Sequence, residues 1–290
     1  MATSIAASQA GFPTAGTAGA VVVARSDLYP DALAGVPLAV QYDAPLLLSP
    51  SSGLPAATVA EIQRVLPAGR QVFLLGSTAS LAATIDTQLL NLGYVPVRLQ
   101  GATRYDTAIK IANALGDPHT VFEVDGTNFP DALSAGPAAA ITHGAVLFTA
   151  GTSAAAPTTA YLAAHPDDVR YAVGGPAATA DSSAAKLVGV DRYQTSMMVA
   201  QAFFNSPSVV GVASGLKFPD ALSGGPAAAL AGGPLILVPP DGPLPTSTQS
   251  YLSQIASSVL SGWVFGGTPS VSTLVANEVA QSLVLVPPSS

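Results

Sequence analysis

Short apolar runs recur along this chain and are separated by stretches of helical length. The first set is Val21-Val22-Val23, Leu46-Leu47-Leu48 and Val72-Phe73-Leu74-Leu75. Near-continuous apolar runs bounded by helical stretches are the pattern of parallel strands covered on both faces. The pattern predicts a helix over residues 1–12, then strands at 21–25, 45–49, 71–75 and 94–98, with helices at 31–42, 55–66 and 79–92 between them. Pro55 suits a first helical turn, and Gly69 and Gly93 suit helix ends. The same order then repeats. Strands are predicted near 120–124, 145–149, 169–173 and Val188–Val190, and again near 208–213, 234–238, 259–265 and 283–286.

Shared wording supports the repetition. An aromatic residue followed by Pro-Asp-Ala-Leu occurs at Tyr29–Leu33, Phe129–Leu133 and Phe218–Leu222, spaced 100 and 89 residues apart. Such a period is too long for a short solenoid unit and suits a small folded module present three times. The helical stretch Thr3–Ala10 aligns with Thr107–Ala114 and Thr195–Ala202. The later two copies open on Arg104-Tyr105 and Arg192-Tyr193, and the first lacks that start. The modules are therefore expected at 1–100, 101–189 and 190–290. The fold class is α/β, with small parallel sheets flanked by helices. The ending Val286-Pro287-Pro288-Ser289-Ser290 reads as the start of a linker.

Composition narrows the function. Charged residues make up only 9% of the 290, and the net charge is -7, which argues against nucleic acid as a partner. With no cysteine there is no disulfide, thiolate metal site or cysteine nucleophile. No apolar run approaches 18 residues, so no membrane span is expected. Residues 1–20 carry neither a charged n-region nor an apolar h-region, so a secreted form would have its leader outside this sequence.

Few residues offer chemistry. Asp31, Asp131 and Asp220 can bond backbone N–H groups at a helix start, or contact a ligand at the carboxyl end of a strand; the structural role is preferred. Pro37, Pro137 and Pro226 follow each Asp by six residues. A proline there breaks a long helix, so each segment is expected to start as a turn and become helical afterwards. Arg104 and Arg192 stand at helix starts, where a cation opposes the dipole; their partner is either a carboxylate of another module or a bound anion. Gly76-Ser77, Gly174-Gly175 and Gly266-Gly267 follow the third strands. A turn needing positive φ is the preferred reading, ahead of close backbone approach to a ligand. No nucleophile elbow, dinucleotide or phosphate loop, or zinc-protease motif is present. His119, His143 and His165 occupy non-equivalent places, and Asp167-Asp168 reads as a solvated turn. No catalytic activity, metal or cofactor is expected.

Together, Phe129-Pro130-Asp131-Ala132-Leu133-Ser134-Ala135, Phe218-Pro219-Asp220-Ala221-Leu222-Ser223, the later proline-led apolar strands, the Val-Gly-Gly turns and Arg104-Tyr105-Asp106-Thr107-Ala108 resemble the type 2 cell-wall-binding repeat. The resemblance covers nearly the whole chain. It implies three modules arranged as a pseudo-threefold trimer within one chain. It also implies non-covalent anchoring of a secreted protein, outside the cell, to a secondary and often anionic cell-wall polymer or glycan. Candidate contacts to such a polymer are Arg104, Arg192, Asp31, Asp131, Asp220, Asp125, Asn128 and Lys217. The rival readings are a self-associating surface-layer or filament protein, and the anchor region of a wall hydrolase.

Overall fold

A computed structural model of the protein describes residues 1–116 and 118–284. Helix α1 (Ala2–Gly11) precedes a sheet formed by β1 (Val21–Arg25), β2 (Leu46–Ser49), β3 (Gln71–Leu75) and β4 (Val95–Leu99), in the order β2-β1-β3-β4. Its helices are α2 (Gly35–Gln41), α3 (Ala56–Val65) and α4 (Ala83–Asn91). The second sheet, β6-β5-β7-β8, joins β5 (Thr120–Asp125), β6 (Ala145–Thr149), β7 (Val169–Val173) and β8 (Ala185–Leu187). Around it lie α5 (Arg104–Ala114), α6 (Pro130–Ile141), α7 (Ala156–Ala164) and α8 (Gly175–Ala180). The third sheet, β10-β9-β11, comprises β9 (Val209–Ser214), β10 (Leu235–Val238) and β11 (Ser261–Phe265). Its helices are α9 (Arg192–Phe203), α10 (Phe218–Leu230), α11 (Thr246–Ile255) and α12 (Thr273–Ser282). Every strand pairing in the three sheets is parallel.

Equivalent residues occupy equivalent registers. Val22 faces Leu46, Phe122 faces Val146 and Gly211 faces Leu235. The inner faces of all three sheets contribute to one core, through Val22 and Ala24, Phe122 and Val124, and Ala213. Each fully buried Val, Leu or Phe there contributes about 1.5–3 kcal/mol. The Pro-Asp helices α2, α6 and α10 touch one another pairwise and form the pseudo-threefold axis. Their small residues permit that approach: a Cβ on Gly136 would sit 2.8 Å from Val36 Cγ2. At one end of the axis the rings of Tyr29, Phe129 and Phe218 meet edge to face, with centroids 5.3–5.8 Å apart. That geometry suits the ring quadrupoles. The ring of repeats closes because α1 packs on α10, as α5 contacts α2 and α9 contacts α6.

The outer faces differ. The first and third repeats bury large apolar clusters there, including Ile62, Val65, Ile85 and Leu89 in one and Tyr251, Leu252, Val275 and Val279 in the other. In the second repeat, among the described residues, Val121, Leu147 and Tyr161 are buried as part of the central core, and the separate outer cluster is reduced to Ala172, Ala177, Ala178 and Ala184, under the six-residue helix α8.

Three local expectations are corrected. In the first repeat, turn precedes helix before Pro37 as expected, because residues 30–34 are turns and α2 starts at Gly35. In the other two, helix starts at Pro130 and Phe218 and runs through Pro137 and Pro226. Packing at the axis outweighs the one lost hydrogen bond. The fourth strand of the second repeat is Ala185–Leu187, three residues before the expected place. Gly174 N–H donates to Leu187 O at 2.9 Å, which ends the pairing there and leaves Val190 90% exposed. The third correction concerns Asp168, which is buried beside His119 rather than solvated. The strand expected at 283–286 lies partly outside the described residues; Leu283 and Val284 follow α12 as turn.

Candidate polymer-binding clefts at the seams between repeats

Parallel sheets leave a crevice at the carboxyl ends of their strands, where neighbouring crossovers diverge. Here that crevice opens between one repeat and the next. The first cleft, about 220 Å³, is lined by Arg25, Asp31, Ser77 and Ser80 from the first sheet's loops and by Thr103, Arg104 and Thr107 from the start of α5. The second, about 300 Å³, is lined by Asp125, Asn128, Asp131, Gly174 and Gly175 and by Asp191, Arg192 and Thr195 from the start of α9. An aspartate of one repeat thus shares a cleft with the arginine of the following one. Neither pairing is local in sequence.

The aspartates are fixed from behind. Gly76, Gly174 and Gly266 all have positive φ, at 99°, 86° and 115°. A Cβ on any of them would collide with Oδ2 of Asp31, Asp131 or Asp220 respectively. Glycine is required there both for its φ and to make room for the carboxylate, so the turn reading holds and the aspartate is what the turn packs against. Ser80 Oγ donates to Asp31 Oδ2 at 2.7 Å. Burial pushes the Asp131 carboxyl up to about 6, against the opposing pull of Arg192.

The arginines are fixed from the side. Thr103 caps α5 in a reciprocal box with Asp106, and Asp191 caps α9 by accepting from Gln194 N–H at 2.8 Å. These carboxylates sit where the helix dipole wants negative charge, which offsets the adjacent cation. Arg104 Nη1 donates to Gly126 O at 2.6 Å, and Arg192 Nη1 donates to Gly215 O at 2.7 Å. Neither guanidinium forms an ion pair among the described residues. Each keeps donors facing its cleft.

The remaining expected residues divide. Asn128 lines the second cleft. Asp125 also lines it, but its Oδ1 accepts from Thr127 N–H at 2.8 Å and Gly151 N–H at 3.1 Å, so it organises the loop. At the third equivalent position Asp220 backs on Gly266, and Lys217 Nζ donates to Pro269 O at 2.8 Å. Among the described residues, α1 brings Ala2 and Thr3 rather than an arginine to the groove that Gly266 lines. Sequence reasoning missed Thr107 and Thr195, whose Oγ1 atoms accept from Gly101 N–H at 3.2 Å and Gly189 N–H at 3.1 Å and hold the cleft rims. Their recurrence after each Arg-Tyr pair was the available signal.

Three small parallel α/β units closed into a ring, with matched clefts at their seams, define a binding module built from repeats. The chain belongs to the cell wall binding domain 2 (CWB2) family, whose profile matches residues 1–86, 98–184 and 186–276. It is 29% identical over 274 residues to N-acetylmuramoyl-L-alanine amidase LytC of Bacillus subtilis (strain 168), covering 92% of this chain and 54% of that protein. It is 25% identical over 269 residues to the amidase enhancer of the same organism, covering 91% of this chain and 37% of that protein. Among solved structures it is similar to Cwp8 and Cwp6 from Clostridium difficile. Their TM-scores are 0.85 and 0.83 and their identities 24% and 23%; each alignment covers 97% of this chain, with 50% and 46% of theirs. The chain therefore spans about half or less of the length of these relatives, and association with the cell wall is what the family supports.

Proposed function

We propose that this chain anchors a secreted protein to the bacterial wall by gripping repeating anionic units of a secondary wall polymer in the two seam clefts. The observation that carries the reading is the twofold recurrence of an aspartate from one repeat opposite a donor-rich arginine from the next. Arginine can clamp a phosphate or carboxylate through two parallel bonds. The flanking aspartate accepts hydroxyls of the same unit and rejects excess negative charge. Two such clefts on one rigid ring act together on one polymer, so weak single contacts become strong retention. Local capture is needed because the net charge of -7 repels an anionic polymer at long range. In this reading the functional repeat begins at α1, α5 and α9, giving modules 1–100, 101–189 and 190–290. Polymer contacts come from Arg104, Arg192, Asp31, Asp131 and Asn128, with Asp220 and Lys217 forming an incomplete third set. Asp125 acts by shaping its loop. The chain supplies the grip, and any wall chemistry belongs to other parts of a longer protein.

The test is co-sedimentation with purified walls before and after removal of phosphate-linked polymers. Wild type is expected to sediment only with untreated walls. The double variant Arg104→Ala/Arg192→Ala is expected to stay in the supernatant while keeping its circular dichroism and melting curve. A folded double variant that still sediments refutes the clamp.

A second reading is favoured by one feature. Strands β3 and β7 each carry a fourth strand, but β11 carries none among the described residues. Near that edge Leu260 is 86% exposed and Val264 is exposed. Exposed apolar residues can mark a protein interaction surface, so two copies meeting through this face of β11 would give self-association. Sedimentation velocity over a concentration series tests it: a species that grows with concentration and is lost in Val264→Lys supports it.

A further inference from the structure

The outer face of the second repeat is unlike its two counterparts. Where β1 and β9 place Val23 and Val212 under the outer helices, β5 places Glu123. It is 2% exposed, and its Oε1 accepts no hydrogen bond. Beside it, Arg170 stands where the first repeat has Val72 and the third has Gly262. These groups line a cavity of about 370 Å³ under α7 and α8, closed by Thr158, Leu162 and Pro166 and sharing no residue with either seam cleft. A mere loss of apolar filling would leave a dry void lined by alanine. Here the space holds a buried, uncommitted acceptor instead.

The hydrogen bonds around the cavity show what it lacks. Thr158 Oγ1 donates to Phe148 O at 2.7 Å and Thr159 Oγ1 donates to Ala155 O at 3.1 Å, so both hydroxyls have spent their protons and offer only lone pairs. Arg170 turns Nη1 to Asp181 Oδ2 at 2.9 Å and Nη2 to Ser183 Oγ at 3.0 Å. The cavity therefore presents acceptors and few free donors. Its charges are one guanidinium against two carboxyl groups, one position short of neutrality when both are ionised. A ligand with several donors, no acceptor and one positive charge answers both deficits, and a primary ammonium has that inventory. An anion meets two carboxyls, and a hydroxyl brings an acceptor with nothing to receive it.

We propose that the cavity between α7 and α8 is a binding site for a primary ammonium group carried on a small molecule or on a polymer substituent, with Glu123 as its counter-ion. The proton that Glu123 shares with Asp181 leaves to solvent when the ammonium enters. The charged groups acting on Glu123 are Arg170 of β7 and Asp181 after α8. Helix α7 contributes no charged residue and Tyr161 as its titratable one; α8 and β6 contribute neither.

The test is a chemical-shift titration of the whole chain with ethylammonium, against ethanol and tetramethylammonium. Ethylammonium is expected to move the amide resonances of Glu123, Thr158, Arg170 and Asp181 saturably, with affinity rising about tenfold per pH unit between pH 6 and 7.5 as one proton is displaced. Glu123→Val, which installs the residue of the other repeats and is expected to fold, should lose that response. Equal shifts with tetramethylammonium, which has no N–H, or with ethanol would overturn the proposal. So would an unchanged response in Glu123→Val, or no saturable shift with any probe.

Discussion

Glu123 is also where the stability of this protein should respond to pH. Burial, reinforced by the proton shared with Asp181, pushes its carboxyl from the ordinary 4.5 up to about 8. A folded-state value above the unfolded one means stability that is complete below pH 4.5 and is lost as pH rises through about 8. That displacement sets a ceiling of about 5 kcal/mol. The same shared proton lowers Asp181 and returns part of this, so a loss of about 3 kcal/mol between pH 5 and 9 is expected. Replacing the side chain by valine removes the titration and restores apolar filling of the kind seen at Val23 and Val212, both essentially inaccessible. Glu123→Val should be more stable than wild type, by about 1–2 kcal/mol at pH 5 from the restored burial and by about 4–5 kcal/mol at pH 9. Urea unfolding of both proteins at five pH values, with m-values compared to establish two-state behaviour, measures this. Parallel pH profiles for the two proteins would refute the assignment of the titration to Glu123.

Further outcomes follow from the seam clefts and the axis. Asp131 is protonated below about pH 6, which leaves Arg192 less opposed; wall retention of an anionic polymer should strengthen as pH falls through 6, and Asp131→Asn should hold the tight form at every pH, checked by co-sedimentation at pH 5 and 7.5. Gly174→Ala forces a side chain onto a residue at φ 86° and into the Asp131 carboxylate; it should cost about 2–4 kcal/mol, read by thermal melting. Gly175→Ala, with open space around its Cβ, should change the melting curve little. Tyr29 Oη donates to Thr127 O at 3.0 Å across the first seam; Tyr29→Phe should cost about 0.5–1.5 kcal/mol in urea unfolding, and Tyr29→Ala more, because two ring contacts go with it.

Much of the architecture was readable because the same instructions are written three times. Each apolar run became the expected strand wherever neighbours on both faces demanded it, and the aromatic-Pro-Asp phrase marked the axis each time. What was not readable depended on contacts between repeats or on what covers a surface. Nothing in the local spacing says that Arg104 serves the cleft of Asp31, since the two are 73 residues apart. Glu123 inside Val121-Phe122-Glu123-Val124 reads as one polar residue in a strand; only the presence of α7 and α8 over that face makes it buried. Pro137 and Pro226 looked like helix breakers because local propensity counts the lost hydrogen bond and not the packing of three helices on one another. The site aspartates were visible as a repeated letter, but the reason for the glycines behind them appeared only when the carboxylates were seen resting there.

The closed ring changes what counts as a unit. A cleft formed by an aspartate of one repeat and an arginine of its successor does not exist in any repeat by itself. The middle repeat cut out and grafted elsewhere carries half of two different clefts and no whole one, whereas two neighbours in tandem carry a single complete cleft. Valency in such a chain is a property of junctions. If the clefts bind as proposed, duplicating a repeat adds a working contact only when the newcomer docks, and a substitution that loosens one seam silences a cleft whose residues are all intact.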